Sequence, residues 1–423
     1  MPTTDRIQEQ LSVHLKIMKT IRAVVALYFL GILLSSSSFA AAPQFYSLQL
    51  KHGKLAGKGA DLIRAELPTA QFILWGEDHG FADSAILLRA LAVEARPLGY
   101  KYHVVEVGPV SIRMIAETLR RDGLPGLHRL VHDVPLGIPF LSLKDDAELA
   151  RDFLGQDDKR VPYLWAIDQE FIGSTPFHLQ RLKEIAPNDG ARATAQRLLD
   201  EEKDAAAKVA QGKFLLVRFH DADFDALARQ FKAEAEAEEI IAQLKESAAI
   251  YQLWMSGHNY ENNARRARLL AKNFLALYAR ASDPQPKAVL KMGIEHVALG
   301  TTPINTVDVG TLATSIARTN GRTALRIAFL PAGGHHLVFS PKPGNPTTTE
   351  NYQSKESKEF FDAIGLEHAR LPRETWTVIP LEPLRQSLDN KGIDALKPFS
   401  HFLLLGYDYV VTTIDAKAAV SLY

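Results

Sequence analysis

Two periodicities alternate along this chain. Residues 72–75, 102–107, 163–167, 288–292 and 325–330 are short, nearly continuous apolar runs, the pattern of strands covered on both faces. Residues 402–405 and 409–412 read as two further strands. Between the runs, apolar positions recur at helical spacing, as in "ADSAILLRALAVEARPLG" after the first run and "SIRMIAETLRRDG" after the second. Pro97 and Gly99 end the former. Strands alternating with helices predict an α/β fold with a mainly parallel sheet and crossover helices.

The period changes between residues 175 and 281, where Ala, Glu, Lys, Leu and Arg dominate and Ile240, Leu244 and Ala248 step by four along one helical face. This segment reads as a helical insertion over the C-terminal edge of the sheet. It divides the α/β core into residues 41–174 and 282–423. Within the second part, "SPKPGNPTTTENYQSKESKE" (340–359) reads as a polar loop.

Composition bears mainly on partners and compartment. The 423 residues, 46% of them hydrophobic, can bury a large core. Forty-nine basic against 49 acidic residues leave no net charge, so nothing calls for nucleic acid, an anionic membrane or a polyanionic substrate. The expected partner is a small-molecule substrate. The chain has no cysteine, which excludes a disulfide framework, a thiol nucleophile and a lipid anchor on cysteine. Lys16, Lys19 and Arg22 precede the apolar run "AVVALYFLGILL", and Ser38 and Ala40 follow it, a secretory signal pattern. Twelve apolar residues are too few to span a bilayer. Residues 1–40 are therefore expected to be a signal peptide, with Met18 as an alternative start. What remains is a periplasmic or secreted protein with no stable membrane anchor.

In an open parallel sheet, ligands bind outside the carboxyl ends of the strands. The five runs end in Glu77 and His79, in Glu106, in Asp168 and Glu170, in Glu295 and His296, and in "PAGGHH" with His335 and His336. One ionisable residue at a strand end is commonly a cap or a loop hydrogen bond; convergence of all five on one edge points to a site. Residues i and i+2 of a strand share a face, which sets Glu77 beside His79 and Asp168 beside Glu170, and turns Asp78 away. A carboxylate against an imidazole orients it and raises its basicity, as a general base for water activation requires. Gly76 and Gly80 read as positions where the backbone approaches a ligand. Of the adjacent His335 and His336, at most one is expected in the pocket. His132-Asp133 and His220-Asp221 read as loop or surface pairs, and Trp165 and Trp254 as core or pocket wall.

In "ENNARRARLLAKNFLALY", Arg266 falls in the middle of an apolar arc with Leu269, Leu270, Phe274 and Leu277, whereas Arg265 and Arg268 lie outside it. A guanidinium facing the core stays charged and must meet a carboxylate or an anionic ligand. It is either a structural ion pair with a strand-end carboxylate or part of the site, steadying a developing oxyanion. Asn273, on the same arc, is expected to add a hydrogen bond.

Three segments together resemble the erythromycin esterase family and its wider superfamily, which includes TIKI/TraB-type metalloproteases and ChaN-type haem-binding lipoproteins. "ILWGEDHG" is similar to the family's strand-ending Gly-Glu-x-x-His-Gly and is followed by the strand glutamate of "VVEVGP". "NNARRARLLAKNFLAL" resembles its Arg-Asp-x-x-Met-Ala-x-Asn helix, with Arg266, Leu270, Ala271 and Asn273 in register; "AVLKMGIEHVALG" resembles the strand ending in Gly-x-x-His that follows. The likeness covers residues 70–300. It implies His79 as the base that activates water, Glu77 and Glu106 as its acidic neighbours, His296 as a second acid/base group and Arg266 as a pocket residue. Two departures count against macrolide hydrolysis: Glu and His are one residue closer in "GEDH", as in the haem-binding branch, and Ala267 replaces the esterases' Asp.

The leading expectation is a secreted hydrolase cleaving an ester, lactone or amide with His79, Glu77, Glu106, His296 and Arg266 as its catalytic set. Asp168, Glu170, Asn273, His335 and His336 are its substrate-binding candidates. No Gly-x-Ser-x-Gly elbow is present, so a serine nucleophile lacks support. The alternatives are a divalent metal held by His79, Glu106 and His296, as in a TIKI/TraB-like protease, and a haem- or metal-binding uptake protein of the ChaN type.

Overall fold

The computed structural model describes residues 43–134, 136–154, 162–342, 345–367, 371–388 and 390–423. The expected signal segment lies outside them. Among the described residues, no helix is long and apolar enough to cross a membrane.

The strands are β1 (Tyr46–Lys51), β2 (Lys54–Ala56), β3 (Ala70–Glu77), β4 (Tyr100–Val105), β5 (Leu164–Ala166), β6 (Lys287–Gly293), β7 (Thr323–Phe329), β8 (His335–Lys342), β9 (Asn345–Asn351), β10 (Trp376–Pro380) and β11 (Tyr409–Thr412). Nine of them form one sheet, in the order β2-β1-β10-β11-β7-β3-β6-β4-β5, while β8 and β9 pair as a separate hairpin. From β11 to β5 all neighbours are parallel; β10, β1 and β2 add an antiparallel flank. The protein is thus α/β with a mainly parallel central sheet, and the five apolar runs are the neighbouring strands β7, β3, β6, β4 and β5, the last at the sheet's edge.

Strand β3 shows why those runs are unbroken. Ile73 and Trp75 enter one apolar core and Phe72 and Leu74 the other, because alternate side chains point to opposite faces and helices cover both. The helix Asn259–Arg280 packs on the second core through Leu270 and Phe274. Between β5 and β6, helices Thr175–Glu184, Asp189–Ala207, Asp221–Gln230 and Ala235–Met255 bury their own cluster, which includes Leu198, Phe224 and Leu244.

Chain order reverses about β3: β6, β4 and β5 lie on one side of it and β7 on the other. Such a point opens a crevice at the carboxyl ends of the strands.

Three sequence expectations need correction. Residues 402–405 lie in the helix Pro398–Gly406, not in a strand; so short an apolar run carries no usable period, and Pro398 in the first turn is the helix signal. Residues 340–359 are not a loop but the β8–β9 hairpin and the start of the helix Lys355–Ala363. Ser354 caps that helix by accepting from the Ser357 N–H at 3.1 Å. Trp165 is fully buried, but Trp254, near the end of its helix, is 52% exposed.

Candidate active site

Four adjacent strands deliver the site. Glu77 ends β3, Glu106 follows β4, Asp168 lies two residues beyond β5, and His296 follows β6. A cavity of about 480 Å³ is lined by Glu77, His79, Glu106, Asp168, Arg266 and His296, with Phe140, Tyr251 and Glu295 among its other walls.

His79 is held on three sides. Its Nδ1 lies 2.9 Å from Glu77 Oε1, its ring stacks on Phe140 with centroids 4.1 Å apart, and Nε2 faces Glu106 Oε2 across 3.6 Å. Glu77 is fully engaged, since its second oxygen accepts from Ser84 Oγ, itself bonded by Trp75 Nε1. Burial pushes the His79 pKa down, but the bond to Glu77 and the charge of Glu106 outweigh it and hold the imidazole above its ordinary value.

Arg266 is the hub of the opposite wall. Nε and Nη2 grip both oxygens of Asp168 at 2.9 and 2.6 Å, and Nη2 also donates to Glu106 Oε1 at 2.7 Å. Glu106 Oε2 accepts from the Gly293 N–H at 2.7 Å. Burial opposes ionisation of Glu106, yet the charges of His296, His79 and Arg266 prevail and bring its pKa down to about 2. His296 mirrors His79: Nδ1 meets Asp308 Oδ2 at 2.7 Å, and Nε2 faces Glu106 Oε1 at 3.6 Å. Burial and Arg266 push its pKa down, whereas the bond to Asp308 and the charge of Glu106 raise it, with a net upward shift. Two imidazoles, each tied at Nδ1 to a carboxylate, thus present Nε2 to one shared carboxylate. A Cβ at Gly293 would stand 3.2 Å from His79 Nε2 and 3.5 Å from His296 Cδ2, so glycine keeps the ground between them clear.

Four substrate-binding candidates lie elsewhere. Glu170 is fully buried; it accepts from the Val110 N–H at 2.7 Å and Ser111 Oγ at 2.6 Å, and faces His178 Nε2 at 3.0 Å. It anchors the start of the helix Ser111–Asp133. The i, i+2 parity with Asp168 fails because β5 ends at Ala166 and the chain has already turned. Asn273 Nδ2 donates to the Ile167 carbonyl at 2.9 Å; two helical turns carry it about 10 Å along the axis from Arg266. His335 and His336 are carried away by the hairpin: His335 is exposed, and His336 packs against Phe81 and Tyr352. The two glycines serve protein neighbours rather than a ligand. A Cβ at Gly76 would strike Tyr407 Oη at 2.2 Å, and one at Gly80, whose φ is +93°, would strike the Leu337 carbonyl at 2.1 Å. His132 and His220 are both exposed.

Several residues of the site escaped the sequence reading. Lys291, 7% exposed, donates to Glu77 Oε1 at 2.5 Å and pairs with Asp146 Oδ1 at 2.6 Å. Its signal was a lone charge inside the apolar run 288–292. Asp308 caps the helix Val309–Thr319 by accepting from the Val309 N–H, and orients His296 with its other oxygen. Phe140 and Tyr251 carried no signal, since nothing local marks a residue as the wall of a remote cavity.

The metal set named from sequence, His79, Glu106 and His296, does not fit a divalent ion well, because Arg266 already engages Glu106 and would place a fixed positive charge beside the cation. Among the described residues, no group of three or more His, Cys, Asp or Glu is arranged to hold a metal. Besides the charged Glu77, Asp78, Glu106, Asp168, Arg266 and Glu295, the cavity is lined by the apolar Pro139, Phe140, Phe171 and Ile294.

No family model and no curated protein matches the chain in sequence. Solved structures match it in fold. A His-to-Asn variant of the erythromycin esterase EreC in its open conformation superposes with a TM-score of 0.58 at 15% identity, covering 90% of this chain and 100% of that one. A protein of Bacillus cereus gives 0.52 at 12% identity, covering 89% and 97%. A succinoglycan biosynthesis protein gives 0.52 at 11%, covering 89% and 96%. At these identities the likeness is one of fold, and it places the chain beside an erythromycin esterase at that level.

Proposed function

We propose that this protein is a hydrolase that cleaves an ester, lactone or amide of a small molecule by direct attack of water, with His79 as general base. The observation carrying this reading is the placement of His79: Nδ1 is tied to Glu77 at 2.9 Å and Nε2 faces the cavity shared by Glu106, Arg266 and His296. The fold likeness to erythromycin esterase supports it.

In the proposed reaction, neutral His79 takes a proton from water at Nε2 while the water oxygen bonds to the carbonyl carbon. The carbonyl oxygen becomes an oxyanion, steadied by protonated His296 and by Arg266 Nη1, which the bonds to Asp168 and Glu106 leave over. The bond to the leaving oxygen or nitrogen then breaks and His296 Nε2 supplies its proton; exchange with solvent then removes the proton from His79 and returns one to His296. The products are a carboxylic acid and an alcohol or amine. Glu77 and Asp308 hold the two rings in orientation throughout, and Glu106 lies within reach of both. The N-terminal signal pattern supports a periplasmic or secreted location.

The test is turnover by the purified protein across alkyl and aryl esters, lactones (macrolides included) and amides. At least one class is expected to be hydrolysed, and His79→Gln is expected to lower that rate by roughly 100- to 10,000-fold with the fold retained. Full activity in His79→Gln, or hydrolysis of no class, overturns the reading.

A further inference from the structure

Lys291 is a buried charge that the reaction above does not use. It stands in β6, between Trp75 of β3 and Val105 of β4. Its ammonium bridges Glu77 Oε1 and Asp146 Oδ1 at 2.5 and 2.6 Å, and all three side chains are at most 6% exposed. A small cavity of about 20 Å³ is lined by Lys291, Asp146, Glu77, His79, His103 and Glu106, so Lys291 and His79 border the same space.

We propose that Lys291 is a positioning residue of the hydrolytic site: by supplying the positive charge that buried Glu77 requires, it frees His79 to be neutral and so to act as the base. This rests on the hydrolase reading above. A buried carboxylate needs a counter-charge, and Glu77 has two cations within reach, Lys291 and protonated His79. With Lys291 present, the demand is met without a proton on the imidazole. Without it, His79 is the remaining cation and holds its proton, which removes the base.

The surrounding charges set the direction. His79 faces Glu77 on its own segment, Glu106 after β4, and Lys291 on β6; Asp146, from the helix Lys144–Asp152, faces Lys291. His103 is held neutral here, its pKa lowered to about 4 chiefly by burial. On His79, Glu77 and Glu106 push the pKa up while Lys291 pushes it down. Asp146 competes for Lys291: burial, partly offset by that ammonium, lifts its pKa to about 6. Removing Lys291 therefore raises the His79 pKa, whereas removing the Asp146 charge leaves more of Lys291 to Glu77 and lowers it.

The test is an NMR titration of the His79 imidazole, assigned by its loss in His79→Gln, in the wild type and in Lys291→Met, Lys291→Arg and Asp146→Asn. The titration needs no turnover, so failure of the hydrolase reading leaves it interpretable. Lys291→Met is expected to raise the His79 pKa by about one unit or more, which lowers the neutral fraction about tenfold or more at pH values below it. Lys291→Arg keeps the charge and the wild-type value. Asp146→Asn shifts it the other way, which keeps the proposal testable if Lys291→Met does not fold. Where an active substrate is found, the rising limb of the pH–rate profile moves in the same sense. An unchanged or lowered value in folded Lys291→Met, or an unchanged value in Asp146→Asn, overturns the proposal.

Discussion

Arg266 and Glu106, 160 residues apart in the chain, meet at 2.7 Å, and the same guanidinium grips both oxygens of Asp168. One side chain thereby ties the helix Asn259–Arg280 to the ends of two strands. Of the two sequence readings of Arg266, the ion pair with strand-end carboxylates is present, and the residue also lines the cavity.

Arg266→Ala is expected to cost stability as well as activity. It leaves Asp168, at 7% side-chain exposure, without its cation, and Glu106, at 5%, with only the two imidazoles for counter-charge. Removing one partner of a buried pair costs about 3–5 kcal/mol. Urea unfolding of the variant measures it; a midpoint and slope equal to the wild type would show that the guanidinium does not hold these elements together.

The pH dependence follows from His79. Glu77 and Glu106 keep its pKa above the ordinary imidazole value despite burial. As a base it works only when neutral, so kcat/KM is expected to rise with pH and to be lost as pH falls through that raised pKa. The rising limb should therefore lie above about 6.5, the value of a free imidazole. A limb at or below that value would contradict the assignment of His79.

Gly293→Ala probes the ground between the two imidazoles. The added Cβ would stand 3.2 Å from His79 Nε2 and 3.7 Å from Glu106 Oε2, closer to the imidazole than side chains ordinarily pack. A contact at 3.2 Å makes its neighbour give by a few tenths of an ångström; since a misplacement of about 1 Å can cost roughly 100-fold in rate, a loss smaller than that is expected, with little change in melting temperature. Steady-state kinetics beside thermal unfolding separates the two effects, and an undiminished rate would place the chemistry away from this glycine.

Much of the fold was legible because strands covered on both faces leave an apolar signature that needs no partner to be read. The runs at 72–75 and 288–292 became β3 and β6 for that reason. The run at 402–405 misled because four apolar residues do not reveal their period, and the polar segment 340–359 hid a hairpin because its strand residues are polar and give no apolar alternation. Of the site, the sequence placed His79, Glu106, Asp168, Arg266 and His296 at strand ends or on a helix face. It misplaced Glu170, where the chain had left the strand geometry on which parity depends, Asn273, two helical turns from Arg266, and His335 and His336, which open β8 of the separate hairpin instead of ending β7.

The sequence by itself determined the identities of the parallel strands β3 to β7, the alignment of their polar ends and the inward-facing guanidinium, since each depends on local periodicity; it did not show the antiparallel flank of β1, β2 and β10. Only tertiary structure decided which charges meet: that Arg266 selects Glu106 and Asp168, that Asp308 orients His296, and that Lys291 lies beneath His79. Partner choice among buried charges depends on burial and on distances set by strand order, and strand order is a long-range property that no local window of residues encodes.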